Sequence, residues 1–158
     1  MTFISKDPAF AKLQKISTEN TIYQSIYLVL EWDQETYMPP GAIEARANQI
    51  ELLSGFVHKQ KTSPSFKKTL GQLVDLTTGT PLSNKWSLQE SACLRLWHKD
   101  WEKESKLPSS FVKECAKNSS ASLAAWSQAK QQADFLPFRS VFRKNSSARS
   151  KKSKTPRI

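Results

Sequence analysis

With 158 residues, 38% of them apolar, and eight Phe, five Trp and three Tyr, the chain can bury one core of ordinary size, which excludes a disordered polypeptide and requires no second domain. The net charge of +10 is unevenly spread: residues 1–138 set sixteen Lys and Arg against all fourteen acids, and the last twenty residues hold the other eight Lys and Arg with no acid. A uniformly basic folded surface is thereby excluded, so a nucleic-acid partner would have to be held by the tail alone.

The opening MTFISKDPAFAKLQ places Lys6 and Asp7 where a signal peptide needs an unbroken apolar run. The most apolar segment, 22-IYQSIYLVL-30, is far shorter than the roughly 20 residues a membrane span requires. No membrane partner and a cytoplasmic location are expected, with Cys93 and Cys115 as reduced, buried thiols.

In chain order, Asp7-Pro8 reads as a cap and first-turn pair. Phe10, Leu13, Ile16, Tyr23, Ile26, Tyr27 and Leu30 then recur at helical spacing, predicting one long helix to about Asp33 with a kink near Ser17–Asn20, where the register drifts. Pro39-Pro40-Gly41 stops that helix, because proline lacks an N–H and restricts the residue before it. A second helix restarts at about Ala42 on the stripe Ile43, Ala47, Ile50, Leu53 and Val57 and ends near His58. Ser63-Pro64 starts a third, with Phe66, Leu70, Leu73 and Val74, closed by Gly79-Thr80-Pro81. A fourth spans Ser87 to Ser105, a fifth about Ser109 to Gln132, and Asp134 caps a sixth through Phe135, Phe138 and Phe142. The expected fold is all-α, about five or six antiparallel helices over residues 1–138, followed by a short disordered basic tail, 139–158, too polar to offset its ordering entropy.

Glu31, Asp33 and Glu35 invite reading as an acid/base pair or metal site. A spacing of two on a helix puts neighbours on divergent faces and only Glu31 with Glu35 on a shared one, so surface charge or a helix-end hydrogen bond is the default. His58 stands alone and is expected as a helix-end cation; Cys93 and His98 lie five apart and point different ways, leaving His98 as a partly exposed helix residue. No HExxH, Gly-rich phosphate loop or G-x-S-x-G occurs in the sequence. Trp32, Trp86, Trp97, Trp101 and Trp126 could stack on bases, but their neighbours carry both signs, so core or helix-interface packing is expected.

The stretch 30-LEWDQETYMPPGAIEARANQIELLSG-55 resembles the N-terminal signature of the carboxypeptidase Taq family of zinc metallocarboxypeptidases, in which a long first helix ends in a W-D-Q-E-T-x-M-P-P-G-A turn and a second begins E-A-R-x-x-Q. Trp32, Asp33, Gln34, Glu35, Met38, Pro39, Pro40, Gly41, Glu44 and Arg46 carry that likeness. The segments 94-LRLWHKDWEKESKLPSSFVKECAK-117 and 126-WSQAKQQADFLPF-138 extend it over roughly 7–138. The resemblance implies a helical peptidase with a deep cleft, often homodimeric, removing C-terminal residues from peptides with a zinc-activated water. The family's zinc ligands and general base belong to an HExxH-bearing region that matches no position here, so no catalytic, cofactor-binding or metal residue is assigned and no cofactor is expected in this chain. Trp32, Asp33, Met38 and Pro39 are expected to position the helices that cover the cleft, with Asp33 satisfying backbone donors at the turn.

After Phe142 the composition switches to a basic, serine-rich string. A frameshift or a split gene would produce that change, and a separately encoded C-terminal peptidase part would then be the partner. The rival expectation is a small helical interaction module whose own basic tail binds nucleic acid or an acidic partner.

Overall fold

A computed structural model describes residues 5–136, 138–140 and 142–143, so nearly all of the expected tail lies outside the described residues. Among the described residues five α-helices follow one another: α1 Pro8–Thr36, α2 Ile43–Thr62, α3 Pro64–Leu70, α4 Leu88–Ser105 and α5 Ser109–Gln131, with a 3-10 turn at Pro40–Ala42 between the first two. Asp134 Oδ1 accepts from Leu136 N at 2.9 Å, and the described residues from Leu136 on are helical, as the expected sixth helix requires. Among the described residues the sole extended pairing is an isolated bridge between Val74 and Pro81, and the fold is all-α.

The chain forms two compact units. One comprises the described residues up to Ile26 with Gly55–Ser109, and the other Tyr27–Ser54 with the described residues from Ser110 onward.

The first unit contains the large core, in which Phe10 and Leu13 of α1 meet Phe66 and Leu70 of α3, Leu73 and Val74, and Leu94 and Trp97 of α4. Phe10 lies between two indoles, its ring centroid 5.6 Å from that of Trp86 and 4.8 Å from that of Trp97, contacts that add to the area each ring buries. Caps set where the helices start. Asp7 Oδ1 accepts from Ala9 N and Phe10 N at 3.0 and 3.1 Å, Ser63 Oγ accepts from Phe66 N, and Ser87 and Glu90 form a reciprocal capping box. Two of these caps also tie the start of the chain to α4 and its approach: Lys85 Nζ donates to Asp7 Oδ2 at 2.7 Å, and Ser5 Oγ donates to Glu90 Oε1 at 2.6 Å.

Three boundaries differ from the sequence expectation. α1 is helical throughout, including Ser17–Asn20, and runs on to Thr36; α2 continues past His58 to Thr62. The third helix stops at Leu70 rather than Val74, because the next residues make a tight hairpin: Leu82 N donates to Leu73 O and Asp75 N to Thr80 O, both at 2.9 Å, while Asp75 Oδ1 accepts from Thr77 N and Thr78 N. Gly79 closes it at φ +74°, and a Cβ there would come within 2.6 Å of His98 Nδ1. Gly79→Ala is expected to lower stability by about 1–3 kcal/mol in thermal or denaturant melts.

The N-terminal anchors also make stability sensitive to acid. Hydrogen bonding from Lys85 first, then Phe10 N, holds the Asp7 carboxyl below its usual range, and the Ser5 hydroxyl followed by Ser87 N does the same for Glu90. A carboxylate whose pKa is depressed on folding contributes fully above its unfolded pKa of about 4 and loses that contribution as pH falls through the folded value. Tryptophan fluorescence at a fixed denaturant concentration should therefore report falling stability below about pH 4, with a shallower decline in Asp7→Asn.

Candidate functional site

The acidic corner lies in the second unit and is held by Arg46. Its guanidinium pairs with the Asp33 carboxylate through Nη2 and donates from Nη1 to Leu30 O at 2.8 Å, so one side chain of α2 grips both a charge and a carbonyl in the last turns of α1. Acids near a helix C-terminus face the negative end of its dipole, and a guanidinium there is favourable. The two side chains are 15% and 33% exposed, between a surface pair and a buried one. Hydrogen bonds to charged groups in such settings contribute about 1.5–3 kcal/mol.

Asp33 does satisfy backbone donors, but through its carbonyl oxygen, which accepts from Tyr37 N at 3.0 Å and Met38 N at 2.9 Å; its carboxylate belongs to Arg46. Pro39 then sits in extended backbone at φ −65°, ψ 145°, and Ala42 N donates back to Pro39 O at 2.9 Å, so Met38-Pro39-Pro40 turns the chain into α2. Gly41 has open space where a Cβ would stand, and nothing in the described residues explains a glycine there. Glu44, in the first turn of α2, favours that helix's positive end, and Glu35 is exposed. Tyr27 donates its phenol to Glu31 at 2.6 Å; burial, reinforced by that carboxylate, raises the phenol's pKa well above the ordinary tyrosine value.

Gln34 makes a contact that spacing along one helix cannot reveal. Its Nε2 donates to Ser120 O at 2.9 Å, and Ser120 Oγ donates to its Oε1 at 2.8 Å, joining the end of α1 to the middle of α5. Lys117 Nζ reaches Glu51 at 3.7 Å, adding α2 to the same assembly.

Two expectations for aromatic and imidazole groups are corrected. Trp86, Trp97 and Trp101 join or flank the core, but Trp32 and Trp126 are exposed, the first edge-on to Tyr37 and the second edge-on to Phe138. Both histidines are buried, in the first unit. His58 donates from Nε2 to Glu104 O at 3.1 Å and has Ser109 Oγ at 3.2 Å from Nδ1, while His98 donates from Nε2 to Leu76 O at 2.9 Å. Each ring is a hydrogen-bonded strut between segments. Cys93 and Cys115 are half-buried rather than buried, and burial raises the Cys93 thiol's pKa.

Among the described residues no three His, Cys, Asp or Glu side chains gather in a way that could hold a metal ion, so these residues do not fit a zinc centre. With Asp33 paired to a guanidinium, the corner is arranged to fix two helix ends rather than to move a proton.

The profile of the carboxypeptidase Taq (M32) metallopeptidases matches residues 12–155. The chain belongs to that family. The match continues past Phe142 into the basic tail. Thermostable carboxypeptidase 1 of Thermus thermophilus is 25% identical over 138 residues, covering 85% of this chain and 26% of the relative. The crystal structure of BsuCP shares the fold at a TM-score of 0.77 with 23% identity, and the structure of CHT at 0.59 with 24%; each match covers 85% of this chain and 26% of the other. The chain thus spans about a quarter of the length of the relatives it matches.

Arg46→Ala should cost about 1–3 kcal/mol in denaturant unfolding, since it removes a charge-assisted pair and a bond to Leu30 O. Asp33→Asn should cost less than Arg46→Ala, and the double variant less than the sum of the two. Additive losses would show that the pair does not couple the helices.

Proposed function

We propose that this chain supplies the N-terminal, cleft-covering helices (residues 1–138) of a zinc-dependent metallocarboxypeptidase that releases C-terminal amino acids from peptides. The zinc ligands and general base come from sequence outside this chain, carried either on a longer polypeptide or on a separately encoded partner. The observation that carries this reading is the family match over residues 12–155, combined with its extent of about a quarter of the relatives. The signature Trp32 to Arg46 then has a mechanical role: Arg46 and Asp33 fix the α1–α2 corner, Gln34 ties it to α5, and the Met38–Pro40 turn sets the direction of α2.

In the family's chemistry a bound zinc activates water and polarises the scissile carbonyl. On this reading the described residues serve as positioning elements for that chemistry. No described helix is long and apolar enough to cross a membrane, and the same reading places the protein in the cytoplasm, where the thiols of Cys93 and Cys115 stay reduced.

The test is a peptidase assay on the purified chain with an N-blocked dipeptide, with and without added zinc. No zinc-dependent release of the C-terminal amino acid is expected. Release that a chelator abolishes and zinc restores would overturn the assignment of catalysis to sequence outside the chain.

A further inference from the structure

His58 is 4% exposed, yet both of its ring nitrogens are engaged, and all the groups concerned belong to the first unit. Nε2 lies 3.1 Å from Glu104 O, which can only accept, so the ring proton sits on Nε2 and the Nδ1 lone pair is left for the Ser109 hydroxyl at 3.2 Å. The link from Glu104 to Ser109 is short and fastened. Leu107 N donates to the same Glu104 carbonyl at 3.0 Å, and Pro108 has its own φ fixed by its ring. The Glu104 carboxylate stands 3.8 Å from Nε2, across the ring from the serine, where it favours a positive imidazolium.

A strut needs a partner at each nitrogen and nothing more. This one ends in a solvent-exposed serine, and a hydroxyl whose proton is held by an oriented imidazole is an activated nucleophile. The roles match those of a serine, histidine and carboxylate triad with the two ring nitrogens exchanged, and such a site is recognised by geometry and roles rather than by sequence position.

We propose that Ser109 is an acyl-accepting nucleophile for small activated esters and thioesters, with His58 Nδ1 as its general base and Glu104 as the group that orients the ring. Ser109 Oγ bonds to the acyl carbon while its proton passes to Nδ1; the C–O or C–S bond breaks, the leaving group departs with the electron pair, and the proton on Nδ1 follows it. Water then attacks the seryl ester. Nδ1 receives a proton from that water and returns it to Ser109 Oγ, and a carboxylic acid is released. Activated acyl donors are the class selected because an aryloxide or thiolate leaves before it is protonated, whereas an amine must receive its proton during cleavage, from a ring that is nearly buried.

The test exposes the full chain to a fluorophosphonate and, separately, to p-nitrophenyl acetate, with a chelator present so that no zinc chemistry contributes. Mass-spectrometric mapping should place the phosphonyl and acetyl adducts on Ser109, formed about a hundredfold faster than any on the adjacent Ser110. Ser109→Ala should remove them, and His58→Gln, which keeps a donor for Glu104 O, should slow labelling of Ser109 about a hundredfold. No adduct on Ser109, equal rates at Ser109 and Ser110, or an undiminished rate in a folded His58→Gln variant would overturn the proposal. Where His58→Gln does not fold, the wild-type comparison of Ser109 with Ser110 decides alone.

Discussion

Two consecutive prolines end α1 and hand the chain to α2 with no backbone ladder between them, so the angle at this corner has to be held by a side chain. Arg46 meets that constraint. Its planar fork can bond a carboxylate and a carbonyl at once, which a lysine ammonium on a flexible stem would do with less geometric definition. The acidic corner of a basic protein is explained from here: Asp33 stands at the unfavourable end of a helix dipole and is stabilised by a guanidinium from the next helix.

The two units are built on different principles. The first buries Phe10, Leu13, Phe66, Leu70 and Leu94 around Trp97 and draws its stability mainly from apolar area. The second buries mostly small residues, Ala47, Ala116, Ser120 and Ala129 beside Ile50, and is joined by polar links from Arg46, Gln34 and Lys117. It leaves Trp32 at 59% and Tyr37 at 78% exposure, with Leu52, Leu136 and Phe142 also exposed. An apolar surface of this kind is what a helical segment presents when further parts of a fold cover it, which fits the proposed reading of a cleft-covering region in a larger peptidase.

Local chemistry made much of the fold legible in the sequence. Ser63-Pro64, the Ser87–Glu90 box and the Asp7-Pro8 start each carry their own capping logic, and the helices begin within a residue of where those signals put them. What escaped depends on residues distant in sequence. Gln34 and Ser120 are 86 positions apart, the burial of His58 depends on Glu104 and Ser109, and that of His98 on a hairpin closed by Gly79. The drift at Ser17–Asn20 was visible as a break in an apolar stripe, but a period alone cannot distinguish a kink from a straight helix facing a polar cavity. The signature from Trp32 to Arg46 was readable as a turn; the Asp33–Arg46 pairing within it had to come from geometry.

The measurement that tests the account most directly is an exchange. Residues 12–138 of this chain would replace the matching segment of Thermus thermophilus thermostable carboxypeptidase 1, and release of C-terminal amino acids from a peptide would be followed with and without a chelator. If these helices position a cleft whose chemistry lies elsewhere, the chimera should be active, lose activity on chelation, and lose it on Arg46→Ala while still binding zinc. A folded, zinc-loaded chimera with no activity would contradict the account.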